Sequence, residues 1–220
     1  MQSYLLTLVH CYSSTDFKMS SYKLIYFNFT GLGEPIRYLL HQSGIEFENK
    51  ILNVEEWPKI KSTMPLGQVP VLEIDGKPYV QSKAIGRLIA KRNNLYGAND
   101  VEEYEIDATI DFVADLSVLM ARWQWEKNPE VKQKLKQEID VKLPFTLQKL
   151  DEQVKKNGGF LVGGKLTWAD LQIAAHLETL NNQLKTEVTE DFPDLKKLKE
   201  KVRSLPKIKA YLDSRPKMLF

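Results

Sequence analysis

Few side chains in this sequence are both reactive and patterned. One cysteine, Cys11, and three scattered histidines, His10, His41 and His176, leave no Cys/His ligand spacing, so no metal site is expected. Tyr26 is the most suggestive group. It stands near the end of the apolar run at residues 22–29, just before the turn Thr30-Gly31-Leu32-Gly33. The ends of parallel strands are where α/β folds carry ligands, and a phenol there could donate a hydrogen bond to an anion. Read alone, the same pattern describes a tyrosine packed in a strand core. Ser82 begins a helical pattern, where free N–H groups and the helix dipole attract a carboxylate. Gln81 beside it offers an amide. A plain N-cap is the other reading of Ser82. Trp57 and Lys61 lie in a segment punctuated by Pro58, Pro65 and Gly67, which reads as a loop; without further context Lys61 is a solvated lysine.

The elements that must position these groups emerge from periodicity. Residues 22–29 are β-branched and aromatic, which predicts a buried strand. Pro35 suits the first turn of a helix whose Ile36, Leu39 and Leu40 share a face, and Ser43-Gly44 ends it. Phe47, Asn49 and Ile51 alternate with other residues and predict a second strand. Strand, helix and strand at this spacing form a βαβ unit, so the two strands should run parallel. Residues 69–74 predict a third strand, Asp75-Gly76 a hairpin turn, and Pro78-Tyr79-Val80 an antiparallel edge strand. A helix starts at Ser82, with Ile85, Leu88 and Ile89 on one face.

Beyond Gly97 no strand pattern recurs. Residues 101–126 and 130–155 are helical, the second with a kink expected at Pro144. Thr167 and Asp170 form a capping box ahead of a long apolar helix. Shorter helices cover 194–203 and 206–213. A small α/β domain at residues 19–97 thus precedes an all-α domain at 101–220.

Composition narrows the function classes. The 220 residues are 43% hydrophobic and 27% charged with a net charge of +2, ordinary globular values that argue against a nucleic-acid partner. The longest apolar runs fall far short of the ~20 residues a membrane span requires. A single cysteine suits a reducing compartment, so a cytoplasmic location is expected. Residues 1–18 differ in character from the remainder of the chain, and Met19-Ser20-Ser21 looks like a second start. They are read as an N-terminal extension or alternative start, with a targeting segment as the other possibility. The folded part then carries no thiol of its own.

Several motifs in order resemble the cytosolic glutathione transferases. These are Tyr22-Lys23-Leu24-Ile25-Tyr26-Phe27, Gly33-Glu34-Pro35-Ile36-Arg37, Glu56-Trp57-Pro58 with Lys61, Met64-Pro65-Leu66-Gly67-Gln68-Val69-Pro70-Val71-Leu72, and Gln81-Ser82-Lys83-Ala84-Ile85. The pattern is similar to that of the sigma class and its nematode relatives, and it covers residues 22–215.

The resemblance implies a thioredoxin-like N-terminal domain, an all-helical C-terminal domain and a homodimer. Its chemistry is attack by the sulfur of glutathione, a co-substrate rather than a cofactor, on a hydrophobic electrophile. The thiolate is the nucleophile. Lowering a thiol pKa from ~8.5 by two units requires about 2.7 kcal/mol, and one hydrogen bond to a charged acceptor supplies ~1.5–3 kcal/mol. Tyr26 matches the tyrosine that donates this bond. Trp57, Lys61, Gln68, Val69, Pro70, Gln81 and Ser82 match the glutathione-binding positions, with the Val69-Pro70 bond expected to be cis. Asp115 matches the acid sent across the dimer interface to the ligand's amino group, though it or Asp111 could be a plain surface acid. Leu32 stands where many sigma members carry arginine. Leu32, Met120, Trp123 and Phe220 are expected to line the acceptor site, and Asp170 is expected to be structural.

Three functions fit the resemblance: a detoxifying transferase, with prostaglandin isomerisation as a variant; a carrier of haem or other hydrophobic ligands; and a homologue without activity. Retention of Tyr26, Trp57, Lys61, Gln81 and Ser82 argues against the last. A cysteine-dependent thiol transferase is disfavoured because no cysteine lies near the first turn.

Overall fold

The computed structural model describes residues 20–218. The extension at 1–18, Cys11 and Phe220 lie outside the described residues.

Four strands form one sheet: β1 (Tyr22–Phe27), β2 (Glu48–Leu52), β3 (Val71–Ile74) and β4 (Lys77–Val80), in the spatial order β2-β1-β3-β4. β1 pairs parallel with β2, as the βαβ spacing predicts, with Tyr26 opposite Ile51. β1 and β3 are antiparallel, as are β3 and β4. Pro78 lies on the edge strand β4, where a missing N–H costs the sheet no interior bond.

The first strand stops at Phe27 rather than Phe29 because a side chain takes over its hydrogen bonding. Arg37, on α1 (Glu34–Ser43), donates to the carbonyls of Phe27 at 3.0 Å and Phe29 at 2.9 Å. The third strand begins at Val71, just after Pro70, which has no N–H for the ladder. Its Val69-Pro70 bond is cis, as expected.

The segment read as a loop holds a short helix α2 (Trp57–Ile60) and a 3-10 turn (Lys61–Thr63). Pro58 falls in the first helical turn, where proline is tolerated, so it starts this helix rather than forbidding it.

α3 (Ser82–Arg92) corrects one expectation. Ser82 is its first helical residue and Gln81 is the cap, because the Gln81 carbonyl accepts the first helical bond from the Ile85 N–H at 2.9 Å.

The helical domain comprises α4 (Asp100–Trp125), α5 (Pro129–Lys156), α6 (Trp168–Leu184), α7 (Pro193–Ser204) and α8 (Pro206–Ser214). α5 runs through Pro144 as one element. Pro144 and Asp140, whose carbonyl loses its partner, are both exposed, so water can satisfy the orphan. The Thr167–Asp170 capping box is present at the start of α6. Asp170 is fully buried and accepts hydrogen bonds from the N–H groups of Leu161 at 2.8 Å and Thr167 at 2.7 Å. No helix among the described residues is long and apolar enough to cross a membrane.

One apolar core joins the two domains. Leu24, Ile36 and Leu72 of the sheet domain belong to the same buried cluster as Ile110, Trp168 and Leu171. Gly86 of α3 touches the Trp168 ring so closely that a Cβ there would lie 2.0 Å from it.

A buried polar network crosses the same seam. Glu34 and Arg37 are both fully buried and pair at 3.0 Å. Tyr211 donates to Glu34 at 3.0 Å, and Arg215 pairs with both Glu34 and Glu178. Glu178 also pairs with Arg203 at 2.8 Å. The last helices are therefore tied to the start of α1.

Candidate active site

A cleft of 370 Å³ opens where β1, α2, the segment before β3 and the start of α3 converge. Its walls include Trp57, Lys61, Gln68, Val69, Pro70, Gln81 and Ser82. Seven of the residues singled out in the sequence thus surround one space. Three N–H groups, those of Ser82, Lys83 and Ala84, precede the first helical bond of α3 and give that end a partial positive charge. Gln81 holds φ 70°, a left-handed conformation that a non-glycine residue adopts at some cost. Its side chain lies 3.5 Å from that of Gln68. Trp57 and Phe27 pack nearly perpendicular to each other, with ring centroids 5.4 Å apart.

Tyr26 adjoins this cleft through Phe27 and Leu32, which line it. Its side chain is buried, and its hydroxyl accepts a hydrogen bond from the Leu32 N–H at 3.1 Å. That bond uses a lone pair and leaves the hydroxyl proton for another partner. The turn that delivers the Leu32 N–H lies directly on the phenol. At Gly31, with φ 34°, a Cβ would come 2.7 Å from the hydroxyl oxygen. Burial pushes the Tyr26 pKa up, against the opposing pulls of the Leu32 N–H and the Arg37 guanidinium. The group is therefore a neutral phenol at physiological pH, a donor rather than a base.

Arg37 sets this geometry from beneath. Besides the Phe27 and Phe29 carbonyls it binds Asn49 of β2 at 3.2 Å, and its guanidinium lies 5.8 Å from the Tyr26 ring centre. Strand end, turn and phenol are thus fixed by one buried cation.

A second cavity, of 320 Å³, adjoins the first. Phe27 and Leu32 line both. Tyr26, Phe29, Met120 and Trp125 give the second one an apolar wall, and α6 supplies Gln172, His176, Thr179 and Gln183. Leu32 and Met120, two of the residues singled out in the sequence, line this cavity.

Trp123 does not line it. It packs against the core, with Lys132 above its ring at 5.5 Å, and Trp125 faces the cavity instead. The reason is helical phase. Ser117, Ala121 and Trp125 recur every fourth residue on one face of α4, while Trp123, two residues earlier, points roughly to the opposite side at ~100° per residue.

The α6 residues were missed as well. Gln172, His176, Thr179 and Gln183 form a polar stripe at helical spacing along α6, a signal the sequence does contain. Asp115 joins neither cavity. It is largely exposed on α4, 3.6 Å from Lys142, and lines an open groove with Val118, Arg122 and Val141. Asp111 pairs with Lys83 at 2.5 Å. Among the described residues no group of three or more His, Cys, Asp or Glu side chains is placed to hold a metal.

Comparison with known proteins matches both domains. The model of the glutathione S-transferase N-terminal domain matches residues 22–91, and that of the C-terminal domain matches residues 114–215. The chain belongs to the glutathione S-transferase family. A glutathione S-transferase of Anopheles gambiae is 43% identical over 202 residues, covering 90% of this chain and 98% of its own. The structure of prostaglandin synthase D of Nilaparvata lugens superposes with a TM-score of 0.86 at 41% identity, covering 90% of this chain and 99% of that one. Monomeric Na-GST-3, a glutathione S-transferase of the hookworm Necator americanus, superposes with a TM-score of 0.80 at 33% identity, covering 91% of this chain and all of that one. This transferase is accordingly an enzyme with glutathione as a substrate, built on the glutathione transferase fold.

Proposed function

We propose that the 370 Å³ cleft holds glutathione, that Tyr26 stabilises its sulfur as the thiolate, and that the thiolate attacks a hydrophobic electrophile seated in the 320 Å³ cavity. The observation that carries this reading is the position of Leu32. Its N–H bonds the Tyr26 hydroxyl, and its side chain lines both spaces. The phenol therefore sits at the seam where a sulfur from one cavity meets a carbon from the other.

Each wall of the cleft suits one part of the tripeptide. The N–H groups at the start of α3 suit the γ-glutamyl carboxylate, with Gln81 and Gln68 beside them. The backbone of Val69, turned by Pro70, suits the cysteinyl amide in the manner of an added strand. Lys61 and the Trp57 indole suit the glycyl end. A neutral phenol donating to sulfur favours the anion by about 1.5–3 kcal/mol, close to what a two-unit fall in thiol pKa requires. Leu32 in place of a cation leaves the donated bond of Tyr26 as the main support for the anion, with Arg37 the charge on the far side of the phenol ring.

The Tyr26→Phe variant tests the role of the hydroxyl. Turnover with an aryl halide should fall about 10- to 100-fold, with glutathione affinity changed less than about twofold, because the lost bond acts on the sulfur anion. Undiminished turnover overturns the mechanism.

The likeness to prostaglandin synthase D of Nilaparvata lugens favours a second reading, isomerisation of a prostanoid by the same thiolate. A substrate panel containing both acceptor types decides between them, and a haem titration alongside it tests the carrier role.

Asp115 stands away from its own cleft, in a groove whose neighbours Val118 and Val141 are exposed. A homodimer through this face would bring Asp115 toward the partner's glutathione. Light scattering at several concentrations reads the assembly, and a monomer at all of them removes this role. The single cysteine supports a reducing compartment, the cytoplasm.

A further inference from the structure

We infer that His176, held by Ser117, gives the 320 Å³ cavity one fixed hydrogen-bond acceptor and so selects apolar molecules that carry a hydroxyl or hydroperoxide O–H. The inference rests on reading that cavity as the acceptor site.

His176 is 8% exposed and lies in the cavity wall. Its Nε2 is 3.3 Å from the Ser117 Oγ. Ser117 is also 3.1 Å from the carbonyl of Val113, one turn earlier on α4. A serine hydroxyl has one hydrogen, and inside a helix it goes to the carbonyl four residues back. With the hydrogen assigned to the nearer acceptor, Val113, the Ser117 oxygen meets His176 with a lone pair and Nε2 carries the ring hydrogen.

A neutral imidazole has one N–H, so Nδ1 is left as an acceptor. Among the described residues Ser117 is the only hydrogen-bond partner of the ring. Burial holds the imidazole neutral, with a pKa lowered to about 4, so the arrangement persists across the physiological range.

The neighbouring polar groups do not duplicate this role. Thr179 is bonded to Thr30 at 3.0 Å and to the Ala175 carbonyl at 3.3 Å. Gln172 and Gln183 carry amides that can turn to offer either a donor or an acceptor, so they impose no fixed preference. The apolar lining of the cavity, which includes Phe29, Met120 and Trp125, accepts the apolar body of the ligand. A carbonyl or ether oxygen placed at Nδ1 would face lone pair to lone pair, whereas an O–H would be bonded.

The test uses two unreactive probes of matched shape, 1-naphthol and 1-methoxynaphthalene, titrated calorimetrically into the full chain at neutral pH. The wild type should bind the naphthol about 3- to 10-fold more tightly. His176→Leu should bring the two within about twofold while leaving 1-methoxynaphthalene affinity in place. Ser117→Ala, a smaller change, frees the ring to exchange its hydrogen between nitrogens and should cut the preference at least in half. Equal affinities in the wild type, no binding of either probe, or a preference kept in whichever variant folds overturns the inference. Neither probe reacts with a thiolate, so this outcome is independent of the Tyr26→Phe result. No preference in the wild type with an inactive Tyr26→Phe sinks only the His176 role, and a wild-type preference that His176→Leu abolishes, with an active Tyr26→Phe, sinks only the thiolate mechanism.

Discussion

Gly33 lies against the face of Tyr26 so closely that a Cβ on it would stand 2.3 Å from the ring Cδ1. No real Cβ tolerates that distance, so the ring and the turn can keep their places only with hydrogen at this position. The same turn supplies the Leu32 N–H to the hydroxyl. The closeness of Gly33 and the aim of the phenol are one arrangement.

Gly33→Ala should therefore push the Tyr26 ring aside rather than merely crowd it. Turnover with an aryl halide should fall at least about tenfold, and overpacking should lower the unfolding free energy by about 1–3 kcal/mol. Steady-state kinetics and urea unfolding on the same preparation read both effects. An alanine variant with full activity would mean that the phenol's position is not critical.

The pH profile tests the protonation state of Tyr26. Burial raises its pKa above the ordinary 10.0, so the hydroxyl keeps its hydrogen throughout the alkaline range in which the enzyme can be assayed. The kcat/KM profile should rise with ionisation of the bound thiol and then stay level to about pH 10. In Tyr26→Phe the rising limb should move about one to two units to the alkaline side. A descending limb below about pH 9 that vanishes in the phenylalanine variant would indicate a tyrosinate base instead.

The two tryptophans at the end of α4 should separate cleanly. Trp125 lines the second cavity, and Trp123 packs into the core. Trp125→Ala should raise the KM for an apolar acceptor about 3- to 10-fold with little change in stability. Trp123→Ala should leave KM in place and cost about 1–3 kcal/mol in urea unfolding. The opposite assignment would restore Trp123 to the acceptor site.

Asp170 tests the fold at the start of α6. Asp170→Ala leaves the buried N–H groups of Leu161 and Thr167 without an acceptor and should destabilise by about 2–4 kcal/mol. Burial pushes the Asp170 pKa up to about 6, with the bonds from Leu161 and Thr167 opposing it. Between the ordinary 3.8 and this value the folded state binds the extra proton. The sign is then fixed: the contribution of this group to stability falls as pH rises from about 4 to about 6, by roughly 3 kcal/mol. Unfolding free energies measured across that interval should carry this slope in the wild type and lose it in Asp170→Ala.

Much of the fold was legible because its signals are local. Pro35 and Gly44 mark the ends of α1, and Thr167 with Asp170 marks the start of α6. The parallel pairing of β1 with β2 can be read from the spacing alone. What escaped depends on contacts made at long range or on dihedral angles. β1 ends early because Arg37 reaches back to the carbonyls of Phe27 and Phe29, which no strand pattern records. Gln81, not Ser82, caps α3 because its φ of 70° sets the entry of the chain. Trp57, Lys61 and Gln68 gather at one cleft, yet spacing alone left Lys61 a solvated lysine; only the ordered motifs singled them out. Trp125 and His176 required the phase of two helices to be tracked to their far ends.

Arg215, just past the end of α8, closes on Glu34, beside the turn that aims Tyr26. A ribosome making this chain releases the whole sheet domain into solution while that anchor is still unsynthesised. Translation order therefore leaves the nascent first domain with a buried-type carboxylate short of one of its two arginines until the entire helical domain has been read. The turn that holds the Tyr26 hydroxyl is encoded early and secured late.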